Sequence, residues 1–279
     1  MARSSSTGPR NARGHVARKR FGQHFLVDRH YIDRIVAALD PQPDDNIVEI
    51  GPGLGALTGP LLERIERLTV IEIDRDLAAR LVVEHPADRL TLYIADALEF
   101  DFGSLGADLR IIGNLPYNIS SPLLFHLARY DGSLRDLMFM LQKEVVERMV
   151  AAPATPAYGR LSVMLQLRFR IERLLTVPAG AFRPAPKVES AVVRLIPLRD
   201  ARPILADEAL FASIVSAAFG QRRKTLRNAL RTLASEADLE RVGIAPGARG
   251  ETLSVADFVR LSNALRPERV PRLSKRAQR

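Results

Sequence analysis

The stretch Ile112-Gly113-Asn114-Leu115-Pro116-Tyr117-Asn118-Ile119-Ser120 combines residue types suited to one demanding reaction, alkylation of an adenine amino nitrogen. That nitrogen is a poor nucleophile because its lone pair is delocalised into the ring. Acceptors that hold both amino hydrogens out of the ring plane turn the lone pair toward an incoming electrophile. The Asn114 side-chain oxygen and the Leu115 carbonyl are the candidate acceptors. Pro116 fixes one φ angle and stiffens the turn, and Tyr117 offers a face on which an extruded base can stack. Such a site works by orientation and fixed dipoles. It needs no strong general base, because the alkylated ammonium loses its proton to water. The plain alternative is a strand-to-helix loop, where Asn and Pro are common in any case. Asn118-Ile119-Ser120 also spells a glycosylation sequon, which carries little weight in a cysteine-free chain with no apolar leader.

A second turn, Val48-Glu49-Ile50-Gly51-Pro52-Gly53-Leu54-Gly55, runs from an apolar stretch into glycines and then a helical pattern. Gly51 and Gly53 allow the backbone to approach a ligand closely. A lone G-x-G is a weak signal, but the spacing here is G-x-G-x-G, unlike the dinucleotide fingerprint. Glu72 ends the next apolar run, 21 residues after Gly51, where a carboxylate can take both hydroxyls of a ribose. Asp96, followed by Ala97, ends the run after that and is placed to reach an adenine amino group. No Lys or Arg stands in the glycine turn, which argues against a pyrophosphate. S-adenosylmethionine meets these conditions: a nucleoside with a sulfonium cation and no phosphate. Either acid could instead cap the helix that follows it.

These residues need a scaffold that brings several strand ends to one edge. Tyr31, Ile32, Ile35, Val36 and Leu39 share one helical face that stops at Asp40-Pro41. Short apolar runs at Asn46–Ile50, Leu68–Ile73, Leu90–Ile94, Arg110–Gly113 and Leu137–Gln142 then alternate with helical stretches at Leu57–Ile65, Asp76–Val83 and Pro122–Tyr130. That alternation predicts an α/β doubly wound, Rossmann-like sheet. Two further strands are expected at Glu172–Val177 and Ser190–Pro197, around a Pro-rich loop. Past a composition shift at Pro197–Pro203, helices are expected at Asp207–Phe219, Arg223–Leu233 and Val255–Leu265. The expected organisation is a basic arm over 1–18 without order, a catalytic domain over 19–200, a small all-α domain over 201–265, and a basic tail over 266–279.

Charge supports this reading without carrying it. Of the net +9, residues 1–20 and 266–279 hold +11, so the body between them is slightly acidic. Within it, residues 28–108 carry seven basic and seventeen acidic residues, net −10, and residues 109–265 are net +8. An acidic half suits a cationic small molecule and a basic half suits a phosphate backbone, although solvated helix faces segregate charge as well. Cysteine is absent, so disulfides and thiolate metal sites are excluded. The five histidines show no ligand spacing, and no metal is expected. No apolar run is long enough for a bilayer, and the chain is expected to be cytoplasmic and monomeric. The Arg- and Ser-rich start overlaps mitochondrial transit composition, though it lacks amphipathic periodicity.

Five motifs in order give the sequence a resemblance. Lys19-Arg20-Phe21-Gly22-Gln23-His24-Phe25-Leu26, the glycine turn, Asn114-Leu115-Pro116-Tyr117, Phe182-Arg183-Pro184-Ala185-Pro186-Lys187-Val188-Glu189-Ser190 and Phe219-Gly220-Gln221-Arg222-Arg223-Lys224-Thr225-Leu226 are similar to those of the ribosomal RNA adenine dimethyltransferases, specifically the bacterial small-subunit branch. The resemblance spans about 19–265. It implies that Gln23, His24 and Leu26 close over S-adenosylmethionine, with Gly51, Glu72, Asp96 and Asn114 touching it. Position 24 often holds Asn in relatives, and His can still donate a hydrogen bond. Phe182 resembles the aromatic that sandwiches the flipped adenine against Tyr117, although on its own pattern it reads as a core residue. Lys187 is a plausible phosphate contact. Arg222, Arg223, Lys224 and Arg227 would meet RNA from the start of a helix, or else form a solvated face.

The implied reaction dimethylates two adjacent adenosines in the 3′-terminal hairpin of 16S ribosomal RNA within a small-subunit precursor. A large-subunit RNA methyltransferase conferring macrolide resistance, a nicotinamide-dependent oxidoreductase and a non-catalytic ribosome assembly factor are the rival readings.

Overall fold

The computed structural model describes residues 23–221 and 223–265. The basic arm over 1–18, the Lys19–Gly22 part of the first motif, Arg222 and the tail over 266–279 lie outside the described residues. The chain forms two compact units. One comprises residues up to Ala151 together with Leu165–Arg202, and the other comprises Ala152–Met164 and the residues from Pro203 onward. The stretch 152–164, which falls within the 19–200 domain expected from sequence, groups with the C-terminal helices. There the Tyr158 hydroxyl donates to the Leu253 carbonyl at 2.9 Å, and its ring meets Phe219 edge-on.

The strands in chain order are β1 (Phe25–Leu26), β2 (Ile47–Ile50), β3 (Leu68–Glu72), β4 (Leu90–Ile94), β5 (Leu109–Asn114), β6 (Leu134–Gln142), β7 (Phe169–Val177), β8 (Phe182–Arg183) and β9 (Ser190–Pro197). Seven of them form one sheet in the order β4-β3-β2-β5-β6-β9-β7. The pairings from β4 through β6 are parallel, and β9 is antiparallel to both β6 and β7. This is the Rossmann-like α/β sheet expected. Because β2 to β5 are parallel, Ile50, Glu72, Ile94 and Asn114 all end at one edge, the place where such sheets bind ligands.

The helices of the first unit begin with α1 (Arg29–Leu39), which buries Ile32, Ile35, Val36 and Leu39. Each such side chain contributes roughly 1.5–3 kcal/mol on burial. The Asp28 side chain caps its start by accepting from the His30 N–H, and Asp40 in a left-handed conformation ends it. Next come α2 (Thr58–Leu62), α3 (Arg75–Glu84), α4 (Ser120–Leu127) and α5 (Lys143–Val150). A short helix, α6 (Arg160–Gln166), begins in the 152–164 stretch of the second unit. The second unit carries α7 (Glu208–Gly220), α8 (Leu226–Ala229), α9 (Glu236–Arg241) and α10 (Val255–Ala264). Here α8 is a single turn where the sequence suggests a helix over 223–233. Leu226 and Leu230 are buried on either side of that turn.

The end of the sheet away from the strand C-termini is held by a buried ionic network. Arg110, 4% exposed, donates to Asp136 Oδ1 at 2.9 Å and to Asp45 Oδ2 at 2.6 Å. The same guanidinium donates to the carbonyls of Leu39 and Asp40, and so fastens the end of α1 to β5. Arg135 and Arg194 complete the set on Asp45 and Asp136. Three cations against two buried carboxylates leave no buried anion uncompensated, the condition under which such groups are tolerated.

Candidate active site

The strand-end edge holds a cleft of about 1160 Å³ counted to its open mouth. The glycine turn, Glu72, Asp96, Ala97, Asn114, Leu115 and Tyr117 all line it, as do Gln23, His24 and Leu26. Side chains nominated from four separate strand ends and from the N-terminal motif therefore converge on one space.

The glycine turn is built by backbone geometry. Gly51, Gly53 and Gly55 have φ of +65°, +60° and +76°, a region that other L-residues rarely adopt. A Cβ added at Gly51 would meet no heavy atom within 4 Å, so there is open room above the turn. Gly113 answers a different need. A Cβ there would lie 2.5 Å from the Ile50 carbonyl oxygen, so only glycine lets β5 approach β2 closely enough to set Asn114 beside the turn.

Glu72 is 4% exposed. Its Oε2 accepts from the Gly53 N–H at 3.2 Å and its Oε1 from the Asp74 N–H at 2.9 Å. The carboxylate thus braces the glycine turn, and each oxygen keeps a lone pair for a ligand hydroxyl. Burial pushes its pKa up, against the pull of those N–H donors. The alternative that Glu72 caps the next helix does not hold, because the cap of α3 is Asp74, whose side chain accepts from the Asp76 N–H. Asp96 caps no helix either, the next helical turn (Phe102–Leu105) being capped by Asp101. Asp96 Oδ1 accepts from the Leu98 N–H at 2.9 Å, which closes a turn, while the residue lines the cleft.

Glu49, quoted in the glycine motif but given no role from sequence, is the most perturbed acid of the site. It is 2% exposed and lines the cleft. Burial raises its pKa to about 7, offset in part by the Thr58 hydroxyl, which donates to its Oε2 at 2.7 Å, and reinforced by the nearby Glu72. Its place inside a strand that otherwise reads as apolar is the signal that could have singled it out.

Asn114 Nδ2 donates to the His24 carbonyl at 2.9 Å. With the nitrogen so committed, Oδ1 is the acceptor end of the amide available to the cleft. Leu115 follows, its N–H donating to the Met140 carbonyl, so β6 holds the peptide. Tyr117 is anchored by a 2.7 Å hydrogen bond between its hydroxyl and Ser190 Oγ on β9. Ser190 ends the Phe182 motif, so the two motifs meet at this bond.

The N-terminal segment reaches the cleft by a pairing that two-residue strands cannot announce in sequence. β1 pairs antiparallel with β8, Phe25 opposite Arg183 and Leu26 opposite Phe182. Gln23 Nε2 extends to Asp74 Oδ2 at 3.4 Å. Phe25, also unassigned from sequence, lies against Gly53, whose added Cβ would come within 3.2 Å of its ring.

Phe182 stands apart from the other site candidates. It is fully buried, belongs to the main apolar core with Leu26, Val177 and Ala181, and does not line the cleft. It stands on β8 opposite Leu26 of β1. The aromatic ring facing Tyr117 is that of His24, with centroids 5.7 Å apart and planes 25° apart. Lys187 is exposed on the loop between β8 and β9. In the second unit Arg223 and Lys224 are exposed in the turn before α8, not on a helix, and Arg227 on α8 lies 3.6 Å from Glu236. Among the described residues, no group of three or more His, Asp or Glu is arranged to hold a metal ion. Nor is any described helix long and apolar enough to cross a membrane.

Comparison with known proteins agrees with this geometry. Residues 14–266 match the family model described as ribosomal RNA adenine dimethylase. Ribosomal RNA small subunit methyltransferase A of Aromatoleum aromaticum is 61% identical over 249 residues, 89% of this chain and 94% of the relative. The protein of the same description from Chromobacterium violaceum is 61% identical over 252 residues, covering 90% and 96%. Among solved structures, a dimethyladenosine transferase from Plasmodium falciparum superposes with a TM-score of 0.75 at 26% identity, covering 85% of this chain and 96% of its own. The 23S rRNA methyltransferase ErmE gives 0.66 at 28% identity, covering 86% and 99%.

Proposed function

The chain belongs to the ribosomal RNA adenine dimethylase family, and on that premise we propose how its own residues bring an adenine amino group to a methyl donor. The activity is adenine dimethylation of small-subunit ribosomal RNA. We propose S-adenosylmethionine as the donor; it supplies an electrophilic methyl group on a sulfonium centre.

The cleft suits that donor on its own chemistry. Among the described residues its lining includes Glu49, Glu72 and Asp96 and no Lys or Arg, which favours a cation and disfavours a phosphate. The space over Gly51 admits close backbone approach. Glu72 is placed for ribose hydroxyls, Asp96 and Ala97 for the adenine, and Gln23, Leu26, Gly51 and Gly53 for the remaining walls.

The observation that carries the catalytic reading is the Asn114–His24 hydrogen bond. It presents Asn114 Oδ1 as a fixed acceptor for one amino hydrogen of the target base, with the Leu115 carbonyl as the second. Holding both hydrogens out of plane returns lone-pair density to the nitrogen. Tyr117, its hydroxyl tied to Ser190, supplies a rigid stacking face. The gain comes from orientation and from dipoles already in place, and the methylated nitrogen then releases its proton to solvent.

The proposed substrate is the pair of adjacent adenosines in the 3′-terminal hairpin of 16S RNA, in a small-subunit precursor in the cytoplasm. Lys187 and the Arg222, Arg223, Lys224 and Arg227 group are proposed to meet the phosphate backbone. The chain is proposed to act as a monomer. Replacing Asn114 by Ala tests the assignment. Methyl transfer should be lost while subunit binding persists, and transfer at the wild-type rate would overturn it.

A further inference from the structure

A base seated on Tyr117 leaves its sugar and phosphates outside the cleft, and the rim beside that ring carries a lysine that belongs to none of the five sequence motifs. We propose that Lys143 grips the phosphodiester flanking the target adenosine, and that Glu189 masks it until that phosphate arrives. The inference rests on the functional reading above and adds a contact for the same substrate.

Three observations converge, of which position is the first. The Tyr117 hydroxyl is bonded to Ser190 Oγ at 2.7 Å, and Ser190 stands opposite Gln142 where β6 and β9 pair. One residue further out on both chains, the Lys143 N–H donates to the Glu189 carbonyl at 3.0 Å, and Lys143 Nζ donates to Glu189 Oε2 at 2.8 Å. Strands about 4.8 Å apart and residues about 3.8 Å apart put the Lys143 and Ser190 Cα atoms about 6 Å from each other. Neither Lys143 nor Glu189 lines the cleft, so the pair flanks the Tyr117 wall and leaves the base its space. Next, the pair is open to water, with side chains 36% and 51% exposed, unlike Arg110 and Asp45 at 5% and 2%. Such a pair holds a fold together only weakly, so its lysine can change partners at little cost. Finally, the surrounding charge suits an incoming anion. Arg173 on β7 is exposed and near enough to repel Lys143, and exposed Lys187 stands two residues before Glu189. Glu189 and, one turn along α5, Glu147 draw Lys143 the other way.

In this arrangement Glu189 occupies Lys143 while the protein is free. A stray phosphate must displace that carboxylate and gains little by it. A nucleotide whose base is stacked on Tyr117 holds its phosphate beside Lys143 at high effective concentration, and the exchange then favours the phosphate. Ser190 and Glu189 are consecutive, so the anchor of the receiving ring and the carboxylate that yields share one short stretch of chain. The lysine thus strengthens binding only where a base has been extruded.

Four proteins test this: wild type, Lys143→Ala, Glu189→Gln and the double variant, each given unmethylated small subunits. The measurements are Kd for subunits between about 50 and 200 mM salt, kcat/KM for methyl transfer, and Kd for S-adenosylhomocysteine by calorimetry. Melting temperatures confirm that each variant is folded. Lys143→Ala should lose about 3- to 30-fold in kcat/KM. Its logarithmic salt slope should be shallower by about 0.7–0.9, the share of one phosphate contact. Glu189→Gln should tighten subunit binding about 2- to 5-fold, and that gain should vanish in the double variant. S-adenosylhomocysteine affinity should not change. A wild-type salt slope in Lys143→Ala would overturn the proposal. An equal loss in Glu189→Gln would do the same, by making the ion pair itself the contribution. So would a gain from Glu189→Gln that persists without Lys143, since the carboxylate would then act by plain repulsion of RNA. Failure of the functional reading looks different: the wild-type protein itself would transfer no methyl to subunits.

Discussion

Asn114 and His24, ninety residues apart, are joined by a 2.9 Å hydrogen bond from the asparagine side-chain amide to the histidine carbonyl. The bond does two jobs. It fixes which end of the Asn114 amide is the acceptor, and it locks the N-terminal segment over the cleft.

A change of one atom in Asn114 isolates that role. Asn114→Asp keeps the size but replaces the donor with an acceptor facing the His24 carbonyl. We expect kcat to fall about 10²- to 10³-fold, the scale seen when one positioned dipole is removed from an active site. Single-turnover methyl transfer, with circular dichroism to confirm folding, checks this.

Glu49 makes the free protein sensitive to pH. Its carboxyl holds a proton up to about pH 7 when folded but only to the ordinary carboxylate range when unfolded, because burial opposes its charge. The folded state therefore binds more protons in that window, and stability falls as pH rises through it, by up to about 3 kcal/mol. A cationic donor favours the ionised form, so its affinity should rise over the same range. Melting temperatures and calorimetric titrations from pH 5 to 8 should show both trends, and Glu49→Gln, which still accepts from Thr58, should flatten them.

Arg110 should be indispensable to stability rather than to catalysis. Arg110→Met leaves Asp136 and Asp45 short of their main buried partner and frees the end of α1. The expected loss is about 3–5 kcal/mol, read from denaturant unfolding, with Kd for S-adenosylhomocysteine close to wild type below the unfolding transition.

The exposed cations of the second unit are proposed to act through charge alone. Replacing Arg223, Lys224 and Arg227 together by Ala should weaken subunit binding at low salt and flatten its dependence on salt, by about 0.7–0.9 in logarithmic slope for each phosphate no longer neutralised. Cofactor affinity should be unchanged. Binding titrations between 50 and 200 mM salt, taken roughly as the working range, give the slope.

The legible parts of this molecule are those whose signal is local. The β2 to β5 strands and their acidic ends could be read because apolar runs, glycines and carboxylates recur within a few residues of one another. Ser190–Pro197 agrees with its strand residue for residue. What could not be read depends on pairings distant in sequence. The pairing of β1 with β8, which sets Leu26 opposite Phe182, joins residues more than 150 positions apart that no local pattern connects. Glu49 is marked in sequence only as an acid inside an apolar strand, and its burial at 2% exposure is what shifts its proton affinity. The 152–164 stretch opens on an Ala- and Pro-rich run, but nothing local in it names its partner, and the Tyr158 bond to Leu253 assigns it. The turn before α8 reads as helix because charge and leucine spacing allow one, yet the chain leaves helical geometry after a single turn.

The central claim is that this cleft methylates an adenine amino group of small-subunit RNA. Incubating the purified protein and S-adenosylmethionine with unmethylated small and large subunits, followed by nucleoside mass spectrometry, tests it most directly. The account predicts N6,N6-dimethyladenosine in the small-subunit RNA and none in the large. Modification of large-subunit RNA, or no methylated adenine in either despite a bound cofactor, would contradict it.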